Sequence, residues 1–114
     1  MADCLFCKIV AKQIPAKLEY EDHEMVAIHD INPQAPYHVL LIPKEHIERI
    51  ADITEQDLPI VGQLIFRARK IAEERKFSEK GFRLVLNSGA QGGQTVFHIH
   101  LHLLAGRQMH WPPG

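Results

Sequence analysis

The chain has 114 residues, 46% of them hydrophobic, and a formal net charge of −1. That size supports one modest core, and the near-neutral charge argues against an electrostatic grip on nucleic acid or anionic lipid while leaving room for a small anion in one pocket. No segment approaches the roughly 20 apolar residues of a membrane span, and the acidic start Met1-Ala2-Asp3-Cys4 lacks the features of a secretory leader, so a cytoplasmic protein is expected.

In chain order, residues 4 to 11 suit a short helix closed before Pro15. Two strands, at 18–21 and 25–28, flank the turn Asp22-His23-Glu24. The two prolines of Asn32-Pro33-Gln34-Ala35-Pro36 make that stretch a loop. His38-Val39-Leu40-Leu41-Ile42 is a mostly buried strand stopped by Pro43. The longest helix spans about 55–76, where Leu58, Val61, Leu64, Ile65, Ala68, Ile71 and Ala72 recur at helical spacing. Thr54 or Asp57 can cap it, and Pro59 sits more comfortably if Asp57 does. A strand at 82–86 leads into the glycine-rich loop 87–94 and then a last strand at about 96–104. The tail from Gly106 is too rich in proline for a helix. With one long helix among several strands, antiparallel hairpins are expected over βαβ units, giving an α+β sandwich.

The most telling pattern lies in that last strand. His98, His100 and His102 alternate with Ile99, Leu101 and Leu103, so a strand would present the imidazoles in a row on one face. Imidazole can be a nucleophile, a proton carrier or a metal ligand near neutral pH. Three collinear rings converge poorly on one tetrahedral ion. The preceding loop, with Gly89, Gly92, Gly93 and the hydroxyl of Thr95, lets backbone amides approach a phosphate closely. Loop and row together point to attack of an imidazole on phosphorus. Cys4 and Cys7 form a C-x-x-C pair, which in a reducing compartment reads as metal ligands or a redox pair before a structural disulfide.

The pattern His-φ-His-φ-His-φ-φ, with φ apolar, resembles the signature of the histidine triad (HIT) proteins. Cys7-Lys8-Ile9-Val10, Gln13 to Lys17, His29 to Pro36, Gly92-Gly93-Gln94 and the ending Gly106 to Gly114 are similar to the Hint branch, the histidine triad nucleotide-binding proteins. The likeness covers essentially the whole chain. It implies a single HIT domain over residues 1–114, with an antiparallel sheet, a long helix and a short N-terminal helix. It also implies a homodimer that joins two sheets into one, with the tail 105–114 reaching the partner subunit.

The activity implied is that of a purine nucleoside phosphoramidase, which cleaves the P–N bond of substrates such as adenosine 5′-phosphoramidate or lysyl-AMP. His100 would be the nucleophile and His102 the phosphate contact. His38 would orient His100, and His98 would support the hydrogen-bond network. Asp30 matches the acid that binds the ribose, and a carboxylate suits two vicinal hydroxyls. Asn87, Gly93 and Thr95 match phosphate-contacting positions. Phe6, Ile9, Ile14, Ile28 and Ile31 match an apolar slot for the purine of AMP or GMP, and Trp111 matches a tail residue that enters the partner's site. Catalysis of this kind needs no cofactor. Some bacterial members hold a structural zinc, and their ligand set maps onto Cys4, Cys7, His46 and His98; two reduced thiols without a metal are the alternative. Rival readings of the whole chain are a non-catalytic nucleotide sensor or protein-interaction module, and a dinucleoside polyphosphate hydrolase. Neither nucleic acid nor a membrane is expected as a partner.

Overall fold

The computed structural model describes residues 3–114, so the expectation drawn from Met1 and Ala2 lies outside the described residues. Helix α1 (Leu5–Val10) opens the chain, and the Cys4 sulfur caps it by accepting from the Cys7 amide at 3.3 Å. Five strands follow: β1 (Leu18–Glu21), β2 (Met25–His29), β3 (Tyr37–Pro43), β4 (Arg83–Leu86) and β5 (Leu101–Ala105). Helix α2 (Leu58–Glu74) lies between β3 and β4. All neighbouring pairs are antiparallel, in the order β1-β2-β3-β5-β4. The expected α+β class and antiparallel sheet are therefore present. Among the described residues no helix is long and apolar enough to cross a membrane.

The two faces of the sheet are divided by strand alternation. Met25, Ala27, Val39, Leu41, Leu101 and Leu103 face α2, which contributes Leu64, Ala68, Ile71 and Ala72. Val26, Ile28, Leu40 and Ile42 face the other way, against Phe6 and Ile9 of α1. The α2 boundary settles the capping question in favour of both residues. Asp57 is the N-cap, with Pro59 in the first turn, and a short 3₁₀ turn over Glu55–Asp57 precedes it. Thr54 caps that turn, where its amide donates to Asp57 Oδ2 at 2.9 Å.

The last strand is shorter than its side-chain pattern predicts. The ladder begins at Leu101, paired with Leu41 and Leu86, rather than near residue 96. On one side β3 ends at Pro43, whose ring nitrogen carries no hydrogen, and on the other β4 ends at Leu86. The amide of Ile99 instead donates to the Ile47 carbonyl at 2.8 Å. Alternation of side chains nonetheless continues through this lead-in: Ile99 joins the α2-side core, and His98 and His100 are buried on the opposite side.

At the start of the sheet, half-buried Glu19 ties three elements together. It accepts from the Arg75 guanidinium just beyond α2, from the Tyr37 hydroxyl on β3 and from His29 on β2. Burial opposes ionisation of Glu19, but the bonds from Arg75, Tyr37 and His29 outweigh it and take the carboxyl down to about 2 from 4.5. The folded carboxyl thus holds its proton less tightly than the unfolded one. Its contribution is complete above pH 4.5 and is lost as the pH falls toward 2. Glu19→Gln is expected to cost roughly 2 kcal/mol in urea unfolding at pH 7, with the gap to the wild type closing between pH 4.5 and pH 2. A gap that is constant with pH would contradict the ionised role.

Candidate active site and metal centre

The loop after β4 is built to turn tightly under the histidine segment. A β-carbon at Gly92 would meet the Ser88 carbonyl oxygen at 2.7 Å, and Gly93 has φ +87°, so both positions require glycine. The loop is held by one buried polar side chain. Gln94 accepts from the Gly89 amide at 2.8 Å and donates to the carbonyls of Glu48 at 2.7 Å and Val96 at 3.1 Å. Sequence reasoning missed Gln94 as a site-forming residue; it is one of two glutamines that flank Gly92-Gly93, and nothing in the sequence sets it apart from Gln91.

The loop and histidine segment border a cavity of about 610 Å³ between α1, the ends of β2 and β3, and the loop 31–36. That volume suits a nucleotide-sized ligand. Nine candidates share its wall: Phe6, Ile9, Ile14, Ile28, Ile31, Asp30, Thr95, His100 and His102. His38 joins them at the edge of β3. Asn87 and Gly93 are neighbours of each other, with Asn87 Nδ2 3.8 Å from where a Gly93 β-carbon would stand, but neither lines the cavity. Trp111 is exposed, away from this cavity. His98 is fully buried and also outside the cavity wall. Lys17 adds a cation to the wall that the sequence did not single out.

Backbone carbonyls orient the imidazoles. His100 Nδ1 lies 2.8 Å from the His98 carbonyl, so that nitrogen carries the hydrogen and donates it. Nε2 of His100 therefore holds the lone pair. It has no protein partner among the described residues and is not a buried orphan, so it opens to the cavity. The Phe6 ring stands edge-on to the His100 ring at 4.9 Å and fixes its tilt. His38 makes no hydrogen bond to His100, the ring that the family resemblance set it to orient. Its Nε2 lies 2.9 Å from His102 Nδ1. The register explains this: His38 pairs with Leu104, so His102 is its diagonal neighbour on the same face.

Burial is the main cause of low basicity here. It pushes His100 and His38 below the ordinary imidazole value, with a nearby Asp30 carboxylate opposing it in both. Burial, helped by His100 and His38, takes His102 down to about 4. The rings are thus neutral at pH 7, which keeps the His100 lone pair available. Asp30 serves two ends. Its Oδ1 accepts from the Asn32 amide at 2.8 Å, shaping the turn, and its Oδ2 stands 3.5 Å from His38 Nε2.

A second cluster lies behind the first. Cys4, Cys7, His46 and His98 bring one donor atom each within 4.8 Å of one another. The Cys7 sulfur is 3.2 Å from His46 Nδ1 and 3.6 Å from His98 Nδ1; the Cys4 sulfur is 3.4 Å from His98 Nδ1. The two Nδ1 atoms are 3.2 Å apart. A tetrahedral ion with Zn–N of about 2.05 Å and Zn–S of about 2.3 Å would put these edges at about 3.3–3.6 Å. One shared proton cannot serve all four contacts, whereas one cation can. His98 Nε2 donates to the Pro43 carbonyl at 2.8 Å, which leaves its Nδ1 lone pair facing the cluster. Burial and the Cys4 sulfur raise the Cys7 thiol, so a thiolate pair here calls for a positive partner. The donor set fits zinc.

Known proteins resemble this chain along most of its length. A family model described as "Scavenger mRNA decapping enzyme C-term binding" matches residues 3–111. The chain is 52% identical to a HIT family hydrolase from Legionella pneumophila Philadelphia 1 of known crystal structure, with a TM-score of 0.97 over 98% of this chain and 100% of that one. It is 46% identical to a 14 kDa zinc-binding protein of Brassica juncea, over 98% of this chain and 100% of the relative. It is 45% identical to the adenylylsulfatase HINT1 of Arabidopsis thaliana, over 96% of this chain and 76% of the relative.

Proposed function

Because the chain belongs to the histidine triad superfamily, in its Hint-like branch, we propose that it is a purine nucleoside phosphoramidase working through a covalent nucleotidyl-histidine. The observation that carries this reading is the His100 ring. Its Nδ1–H is held by the His98 carbonyl and its Nε2 lone pair opens into a cavity walled by apolar groups and by Asp30.

The aliphatic side chains and Phe6 bury a purine, and the Asp30 carboxylate accepts from the ribose hydroxyls. His102 and the Thr95 hydroxyl meet the phosphate oxygens, and the loop at Asn87 and Gly93 supports that end. His100 Nε2 attacks the α-phosphorus. The P–N bond breaks with its electron pair on nitrogen, which takes a proton from water, and the amine leaves. The resulting hydroxide, or a second water, attacks the same phosphorus, the bond to His100 breaks, and the nucleoside monophosphate departs. Cys4, Cys7, His46 and His98 would hold a structural zinc, which would pin α1 to the sheet.

The active form is a cytoplasmic homodimer of single HIT domains. β4 is a sheet edge, and Leu58, Ile65 and Phe66 of α2 are exposed large apolar residues, a combination that suits pairing with a second copy. The tail 105–114 then carries exposed Trp111 toward the partner's cavity.

Turnover of AMP-lysine, adenylyl sulfate and diadenosine triphosphate under one set of conditions tests the substrate class. AMP-lysine is expected to have the highest kcat/KM. Preference for diadenosine triphosphate would move the enzyme to the polyphosphate hydrolases, and preference for adenylyl sulfate would ally it with the activity in the Arabidopsis relative's name. Asp30→Asn is expected to raise KM for AMP-lysine about tenfold, the worth of one charge-assisted hydrogen bond, and to leave KM for the 2′,3′-dideoxy analogue nearly unchanged. Equal losses on both substrates would remove Asp30 from the ribose.

A further inference from the structure

The cavity holds two adjacent imidazoles, His100 and His102, with ring centroids 5.0 Å apart. They need opposite faces for the proposed chemistry, a lone pair on one and a hydrogen on the other. The His98 carbonyl accounts for the first. Nothing in direct contact with His102 accounts for the second, because its only protein partner among the described residues is another histidine. A histidine can donate or accept at that contact, so the pair alone leaves the direction open.

The direction is set one step further back. The Gln34 backbone amide lies 3.0 Å from His38 Nδ1. An amide N–H can only donate, so His38 Nδ1 must be the acceptor and carries no hydrogen. The hydrogen of a neutral His38 is then on Nε2. Nε2 is 2.9 Å from His102 Nδ1 and 3.5 Å from Asp30 Oδ2, both acceptors for it. With Nδ1 accepting, His102 must carry its own hydrogen on Nε2. That atom has no protein partner and is not a buried orphan, so it faces the cavity.

We propose that the backbone amide of Gln34 is a positioning group that fixes the tautomers of His38 and, through it, His102, so that His102 turns an N–H rather than a lone pair toward the bound phosphate. The role of that N–H toward substrate rests on the phosphoramidase reading; the tautomers themselves do not. A donor matched to an oxyanion stabilises it, whereas a lone pair in the same place would repel it.

The same lock closes this group to a metal. Asp30, His38 and His102 bring a carboxylate and two imidazoles within 4.8 Å, the makings of a cation site. Yet Nε2 of His38 could ligate only by losing its hydrogen, or by moving it to Nδ1 against the Gln34 amide. His98 shows the opposite arrangement, with its hydrogen turned out to Pro43 and its lone pair turned in. Two clusters that each gather metal-ligating side chains are thereby assigned opposite uses by single backbone groups.

Long-range ¹H–¹⁵N correlation of the imidazole rings in the zinc-loaded, ligand-free protein tests the proposal. His38 and His102 are expected as Nε2–H tautomers and His100 as the Nδ1–H tautomer. A hydrogen on Nδ1 of His38 or of His102 would overturn it. Gln34→Pro removes the amide hydrogen, and Gln34→Ala keeps it. The proline variant is expected to show mixed tautomers at His38, and the alanine variant the wild-type pattern. A folded proline variant with unchanged tautomers would also overturn the proposal. If the proline variant does not fold, the wild-type spectrum decides. A further measurement is zinc titration followed at the His38 and His102 ring signals, where no shift is expected after the first equivalent. Because no substrate is present, a phosphoramidase reading that fails leaves these results intact, and the reverse holds too.

Discussion

His100→Ala is expected to lower kcat for AMP-lysine by at least about 10³-fold, the scale on which enzymes depend on a covalent nucleophile. The affinity for AMP should change by less than about tenfold. The argument is geometric. The purine slot meets the His100 ring only through the edge of Phe6, and Asp30 makes no hydrogen bond to it, so ground-state binding keeps most of its contacts. The lone pair that attacks phosphorus is lost outright. Stopped assays give kcat, and calorimetric titration with AMP gives the affinity. Loss of binding in step with turnover would mean that His100 is a binding residue. Full residual turnover would remove it from the chemistry.

Cys4→Ser is expected to abolish stoichiometric zinc and to lower stability at saturating metal. A ligand at a thousandfold above its Kd contributes about 4 kcal/mol to folding, and that is the loss to be read in thermal or urea unfolding. The effect should reach the active site as well. His98 is ligand and scaffold in one residue: its Nδ1 faces the cluster, its Nε2 donates to Pro43 and its carbonyl receives the His100 hydrogen. Loosening His98 therefore frees the His100 ring to rotate, and a fall of about tenfold in kcat is expected while AMP affinity holds. Elemental analysis with matched unfolding curves checks the first part. An unchanged unfolding midpoint with zinc gone would show that the cluster adds nothing to stability.

Much of this was readable from the chain because the relevant signals are local. The helical spacing from Leu58 to Ala72 and the strand His38–Ile42 ending at Pro43 each predict an element within a residue or two of its observed place, and the alternation around His98, His100 and His102 marks the last strand but not where it starts. The exception is instructive. The alternation predicted a strand from 96, but side-chain patterning reports which side is buried, not whether a neighbouring strand is there to pair. At residues 98–100 the side chains are buried, but β4 has ended at Leu86, and β3 offers only Pro43 opposite Ile99, a residue with no amide hydrogen and with its carbonyl taken by His98 Nε2.

The site divides along the same line. His100 and His102 announce themselves by spacing, and Cys4 and Cys7 by theirs. His46 and His98 stand 52 positions apart, and only the approach of the Ile47 region to Ile99 brings them together. The resemblance linked His38 to His100, whereas its hydrogen-bond partner is His102, a neighbour set by a register that the sequence does not display. The groups that decide the tautomers, the Gln34 amide and the carbonyls of His98 and Pro43, belong to the backbone and leave no mark in residue identity.

The steric course at phosphorus bears most directly on the central claim that His100 becomes covalently nucleotidylated. A substrate made chiral at the α-phosphorus by oxygen isotopes, hydrolysed by the zinc-loaded enzyme, should give a monophosphate with retained configuration, because two in-line displacements each invert the centre. Inversion would mean that water attacks once and directly, and would contradict the account.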